Sequence, residues 1–186
     1  PLFLADFERG NPKRMYASNS FSDMRLTPIP RWDLLKIGPY VSMSVQWSRG
    51  CPYQCEFCDV TKLFGHRPRI KTSDQMIAEL DALWEAGWRG RIFFVDDNLI
   101  GNKKYLKEDL LPALIRWQQA KKYRAPFFTE ASINLAQDKE LLRMMVEAGF
   151  DTVFIGVETP DEATLIASGK MQNVGRDLVN DIRTIQ

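Results

Sequence analysis

The chain has few of the residues that close metal sites or disulfide frameworks: three cysteines and one histidine, His66, among 186 residues. An odd cysteine count argues against a disulfide scaffold. All three cysteines fall between Cys51 and Cys58, whereas thiols that merely fill a core would be scattered. Charge of either sign is not in excess, with Lys plus Arg at 25, Asp plus Glu at 24 and a formal charge of +1. That balance demands neither nucleic acid nor an anionic membrane. No apolar run reaches the roughly 18 residues needed to span a bilayer, and the N-terminus lacks a signal-peptide core. The expected compartment is therefore the reducing cytoplasm.

What is present is ordinary globular composition, 45% hydrophobic and 26% charged, enough for one substantial core. The chain opens at Pro1 without an initiator Met and closes at Gln186 within a helical pattern. The expectation is a segment of a longer parent.

Residues 1–39 carry short apolar clusters without a sustained period and read as an irregular arm or interdomain linker, with one short helix at Arg31 to Lys36. From residue 40 the pattern alternates strand and helix. Val41 to Trp47 alternates apolar and small polar residues, as a half-buried strand does. Phe64 to Lys71 is a basic, Pro-broken connection, either a solvated loop or one whose Arg67 or Arg69 reaches an anionic group of a ligand. Ser73 caps a helix running to Ala86, with Met76, Ile77, Leu80, Leu83 and Trp84 on one face and Gly87 as its stop. Arg91 to Val95 reads as a buried strand.

A helix over 103–122 contains Pro112, which should kink or split it. Ala125 to Ala131 is a third strand, Asp138 leads a helix to Gly149, and Thr152 to Val157 is a fourth strand. Thr159-Pro160-Asp161-Glu162 reads as a capping box, and a further helical piece begins near Val174. Leu83-Trp84-Glu85-Ala86-Gly87-Trp88 echoes Met145-Val146-Glu147-Ala148-Gly149-Phe150, each ahead of a strand. The repeat of strand and helix at about 30-residue intervals predicts an α/β fold built on about four parallel strands. The last of them would have an unpaired edge. Trp84, Trp117 and the paired phenylalanines sit at core spacing.

Ser48-Arg49-Gly50-Cys51-Pro52-Tyr53-Gln54-Cys55-Glu56-Phe57-Cys58-Asp59 lets one tight loop turn three sulfurs toward a common centre, and thiolates select zinc or iron–sulfur clusters. A structural zinc needs four protein ligands, so a zinc knuckle would have to recruit His66. Buried structural thiols are the plain alternative. In parallel α/β sheets ligands bind at the carboxyl ends of the strands. The sequence puts the cysteine loop, Asp96, Asp97 and Asn98, Glu130 and Ser132, and Glu158 and Thr159 at those ends. Asp97 and Asn98 also suit turns and helix caps, and capping is the role that suits Thr159.

The Cys-x3-Cys-x2-Cys loop with Phe57 ahead of its third cysteine resembles that of radical S-adenosylmethionine (radical SAM) enzymes. Together with Phe93 to Asn98, Phe128 to Asn134 and Phe154 to Pro160, it looks most like their cobalamin-binding-domain class, especially hopanoid methylases and related lipid-modifying enzymes. The resemblance covers residue 40 to the end. It implies a partial (β/α) barrel, an arc of a (β/α)6 core. It further implies a [4Fe–4S] cluster on Cys51, Cys55 and Cys58, with the open iron chelating S-adenosylmethionine.

By the same resemblance Phe57 lies against the adenine, and Val95 to Asn98 stands where the family keeps a Gly-Gly-Glu-like contact to the methionine amine. The resemblance also implies that Ser132 and Glu158 would hold the ribose hydroxyls or the sulfonium environment, and Glu130, at the same strand tip as Ser132, is a further candidate for contact with the nucleotide. Reductive cleavage would give a 5′-deoxyadenosyl radical that takes hydrogen from an unactivated carbon. Methylcobalamin held by a separate domain of the parent would supply a methyl group, and flavodoxin or ferredoxin the electron. The substrate would be a small molecule or a lipid, with membrane association in the latter case. Ring-forming or other non-methylating lipid chemistry serves the same motifs, and a non-catalytic zinc or iron–sulfur interaction module is the reading from another class.

Overall fold

The computed structural model describes residues 2–18, 20–122 and 125–186. Pro1 and Asn19 of the arm lie outside them. The arm holds a short helix α1, Leu2–Glu8, that the sequence pattern did not announce. The short helix read at Arg31 to Lys36 is a single 3-10 turn, Trp32–Leu34. A second such turn, Met24–Leu26, buries Met24 against the domain.

Six strands follow among the described residues: β1 Ser42–Val45, β2 Ser48–Arg49, β3 Arg69–Ile70, β4 Arg91–Phe94, β5 Phe127–Glu130 and β6 Phe150–Phe154. Four of them, in the order β1-β4-β5-β6, make one parallel sheet. Among the described residues β6 pairs only with β5, which leaves it as the sheet's last strand. The other two form a small antiparallel pair where the sequence suggested a plain connection. Backbone pairing of Ser48 with Ile70 and Arg49 with Arg69 thus closes the base of the cysteine loop.

The helices are α2 Val60–Phe64, α3 Ser73–Glu85, α4 Lys103–Tyr105, α5 Leu111–Lys121, α6 Lys139–Ala148, α7 Glu162–Ala167 and α8 Leu178–Ile185. Thr72, not Ser73, caps α3: its hydroxyl accepts from the Gln75 N–H and the Gln75 side chain answers the Thr72 N–H. Asp138 caps α6 as the sequence implies, and Gly149 ends it in the left-handed region at φ 103°. Ala at Gly149 would also place its Cβ 2.8 Å from the Ala125 carbonyl oxygen, so glycine there serves both the turn and the close approach.

Two boundaries differ from the sequence reading for local reasons. The fourth strand starts at Phe150, directly after Gly149, because the chain pairs with β5 as soon as it leaves the helix. The reading of Thr159 as cap is also corrected. Asp161 is the cap of α7, accepting from the Thr164 N–H, while Thr159 accepts from the Asp161 N–H.

The helical span that contains Pro112 is divided, as the proline predicts: Pro112 stands in the first turn of α5. Between α4 and α5 the backbone widens to a π turn over Leu106–Leu110, with the Leu111 N–H donating to the Leu106 carbonyl. Proline is tolerated at position 112 because a first-turn N–H has no partner within the helix to lose.

Residues of alternate parity on the strands face the helices. Met43, Val45, Ile92, Phe94 and Phe127 are buried there with Leu80 and Leu83 of α3, Leu111, Leu114 and Trp117 of α5, and Leu141 and Met145 of α6. Each such large side chain contributes about 1.5–3 kcal/mol by leaving water. The other parity carries Phe93 stacked on Phe128 at 4.6 Å between ring centroids, flanked by Phe154. The strand read as wholly buried, Arg91 to Val95, therefore has one covered face and one that is only partly covered. No described helix is long and apolar enough to cross a membrane.

Candidate functional site

The strand tips and the cysteine loop enclose a cleft of about 360 Å³. Cys51, Cys55 and Cys58 line it together with Asp97, Asn98, Glu130, Ser132 and Glu158. The topology accounts for this convergence. Parallel strands end on one rim, and β1 hands the chain straight into the loop that carries the thiols.

Asp96 and Asp97 fix the loop's entry. Asp96 is 1% exposed and accepts from the backbone N–H groups of Trp47 and Ser48. Burial outweighs those bonds and pushes its carboxyl up to about 6. Its carboxylate thus sits beneath the loop and is not part of the cleft lining. Asp97 accepts from the Gly50 N–H at 2.8 Å and reaches the cleft. Gly50 itself has φ 104°, and a Cβ there would stand 2.7 Å from the Gly65 carbonyl oxygen.

Asn98 joins the thiols to β5. Its amide nitrogen faces Cys51 Sγ at 4.0 Å and donates to Ser132 Oγ at 3.1 Å, while its oxygen accepts from the Ser132 N–H. The chain of bonds continues from Ser132 to Asn134 at 2.6 Å and from Asn134 to the Tyr53 hydroxyl at 2.7 Å, back into the cysteine loop. Burial pushes the Cys51 thiol up. Glu130 is raised by partial burial and by the neighbouring charge of Asp97. A raised carboxyl beside a second acid favours a cation at this end of the cleft.

The opposite wall comes from β6 and the turn after α7. Glu158 adopts φ 65°, unusual for a residue with a side chain, and binds Lys170 at 2.7 Å. Lys170 also stands 5.5 Å from the centre of the Phe57 ring. The sequence reading missed Lys170, Gln172 and Tyr53. Tyr53 sits inside the marked cysteine loop but was not singled out, while Lys170 and Gln172 lie in a stretch without periodicity that only the fold brings to the cleft.

The three cysteines are free thiols, each partly exposed. Among the described residues no three His, Cys, Asp or Glu side chains come close enough to hold a single ion. His66 lines a separate groove with Cys55 and Cys58, away from Cys51. Three thiols on one loop, with the amide nitrogens of Asn98 and Gln172 beside Cys51 and Cys55, are a set that would suit an iron–sulfur cluster.

A parallel α/β sheet with a three-thiol loop at its carboxyl rim defines a class of cofactor-binding domain. The model of the radical SAM superfamily matches residues 45–178, and the chain belongs to that superfamily. It is 49% identical over its whole length to an uncharacterized methyltransferase of Synechocystis, covering 34% of that protein. It is 45% identical over 94% of its length to the hopanoid C-2 methylase of Rhodopseudomonas palustris, covering 33% of it. The chain thus spans about a third of the length of these curated relatives. Among solved structures, the cobalamin-dependent S-adenosylmethionine radical enzyme OxsB shares the fold at a TM-score of 0.72 and 20% identity, over 97% of this chain and 29% of that one. The four-stranded parallel arc is the partial radical SAM fold.

Proposed function

We propose that this chain is the cluster- and S-adenosylmethionine-binding part of a radical SAM methyltransferase acting on an unactivated carbon of a small molecule or lipid such as a hopanoid. The observation that carries the reading is the sharing of one cleft by all three thiols and the polar tips of β4 and β5. In the intact protein, cobalamin on a separate domain is the methyl donor and a flavodoxin or ferredoxin the electron source. Residues 1–39 connect the two domains.

Cys51, Cys55 and Cys58 would hold a [4Fe–4S] cluster. When bound, it supplies the electron that cleaves S-adenosylmethionine to the 5′-deoxyadenosyl radical, which removes a substrate hydrogen. The chain's own residues bind and orient. Asp97 and Glu130 would present carboxylates to the cationic amine of the nucleotide. Ser132 and Glu158 offer partners for ribose hydroxyls, and Phe57 gives the adenine an apolar face. Asp96 holds the N–H groups of Trp47 and Ser48 from below and so keeps the thiols aimed into the cleft.

The test is anaerobic reconstitution of the protein expressed from its complete reading frame. A brown, iron- and sulfide-loaded protein that releases 5′-deoxyadenosine from S-adenosylmethionine is the expected result. Replacing any one of the three cysteines with Ala should abolish that release. One tightly bound zinc and no nucleoside product would point instead to a non-catalytic module.

A further inference from the structure

Six residues after α7, Ser168 to Asn173, are fastened at once to the cysteine loop and to the end of β6. The Glu56 N–H donates to the Ser168 carbonyl at 2.8 Å. Gly169, at φ 67°, lies so near that a Cβ there would stand 2.7 Å from the Gln54 carbonyl oxygen. Asn173 is buried, and its amide donates to the carbonyls of Gly156 and Val157 at 3.0 Å each. Between these anchors Gln172 reaches into the cleft, its Nε2 3.5 Å from Cys55 Sγ. Its Oε1 is buried and has no partner among the described residues. The amide presents its nitrogen to the sulfur, the orientation that would suit a cluster-ligating sulfur.

We propose that Gln172 is a positioning residue for the iron–sulfur cluster, donating a hydrogen bond to the Cys55 sulfur and thereby raising the cluster's reduction potential. The inference rests on the cluster reading given above. A neutral N–H aimed at a ligand sulfur stabilises the electron-rich reduced state more than the oxidised one. Asn98 stands in the corresponding place toward Cys51. The two donors come from opposite walls of the cleft, one from the tip of β4 and one from the turn after α7. Gln172 is the more informative of the pair because, unlike Asn98, it takes no part in the Ser132 chain of hydrogen bonds.

The experiment measures the midpoint potential of the reconstituted full-length protein by redox titration, for wild type, Gln172→Leu and Gln172→Glu. Loss of the donor should lower the reduced-to-oxidised ratio at fixed potential about tenfold in Gln172→Leu, which for one electron is about 59 mV more negative. Gln172→Glu, which exchanges the donor for a negative charge, should fall further. Potentials equal to wild type in both variants overturn the proposal. A variant that loses the cluster at an unchanged melting temperature also counts against it, because one neutral hydrogen bond is too weak to decide retention by three thiolates. A wild-type protein that takes up no cluster defeats the cluster reading instead, so the two failures are distinguishable.

Discussion

Replacement of Asp96 by Asn separates the carboxylate's structural role from its charge. In the native chain one carboxylate serves two backbone donors, Trp47 N–H at 3.2 Å and the shorter bond from Ser48. Asn keeps the shape but turns an N–H toward one of those donors, leaving it orphaned at a cost of about 1–3 kcal/mol. Part of that is offset at neutral pH, because a buried charge disappears. The pH dependence isolates the charge.

Folding raises the Asp96 carboxyl from an ordinary 3.8 to about 6. Between those values the folded chain keeps a proton that the unfolded chain has released, so stability rises as the pH falls through the window. From pH 7 to pH 5 the gain amounts to about 1 kcal/mol, and the Asn variant lacks it. Amide exchange at Trp47 and Ser48, corrected for its intrinsic pH dependence, reads the local opening free energy in both proteins. Parallel pH profiles for the two would refute the argument that burial of this carboxyl governs the loop's entry.

Three further outcomes follow from the packing. Lys71 and Glu79 form an ion pair whose side chains are both nearly inaccessible, so Glu79→Gln strands a buried ammonium and should cost about 3–5 kcal/mol in urea unfolding. The double change Lys71→Met with Glu79→Leu should recover most of that loss; no recovery would mean the pair is not the source. Gly169→Ala combines a left-handed backbone with overlap onto Gln54 and should destabilise by about 1–3 kcal/mol. Its melting temperature and its capacity to take up iron should fall together.

The strand order was legible because each strand is bracketed by features with a physical meaning. Gly87 and Gly149 stop helices, apolar runs follow them, and acids stand at the far ends. The cysteine loop was legible from spacing alone. The cleft's second wall was not. Lys170 and Gln172 occupy a stretch with no periodicity, and their approach to Phe57 and Cys55 depends on Gly169 letting two loops touch. The placement of Asp96 beneath the cysteine loop was equally hidden. Neighbouring acids look alike in a sequence, while the turn after β4 sends Asp96 down to the backbone of Trp47 and Ser48 and Asp97 to the Gly50 N–H at the rim. The pairing of Ser48-Arg49 with Arg69-Ile70 escaped notice because two-residue strands carry too few side chains to show alternation.

The π turn ahead of Pro112 bears on how this helix tolerates a change in length. A π turn holds one residue more than the surrounding helix requires, and each residue rotates the side chains that follow by about 100°. Leu106, Leu110, Leu111 and Leu114, all at 0% exposure, meet the core only with that surplus in place. Removing Lys107 would restore ordinary helical winding and swing Leu106 out of line with α5. Shortening by one residue should therefore harm this helix more than a polar substitution at the same position, a ranking that a thermal melt of the two variants can read directly.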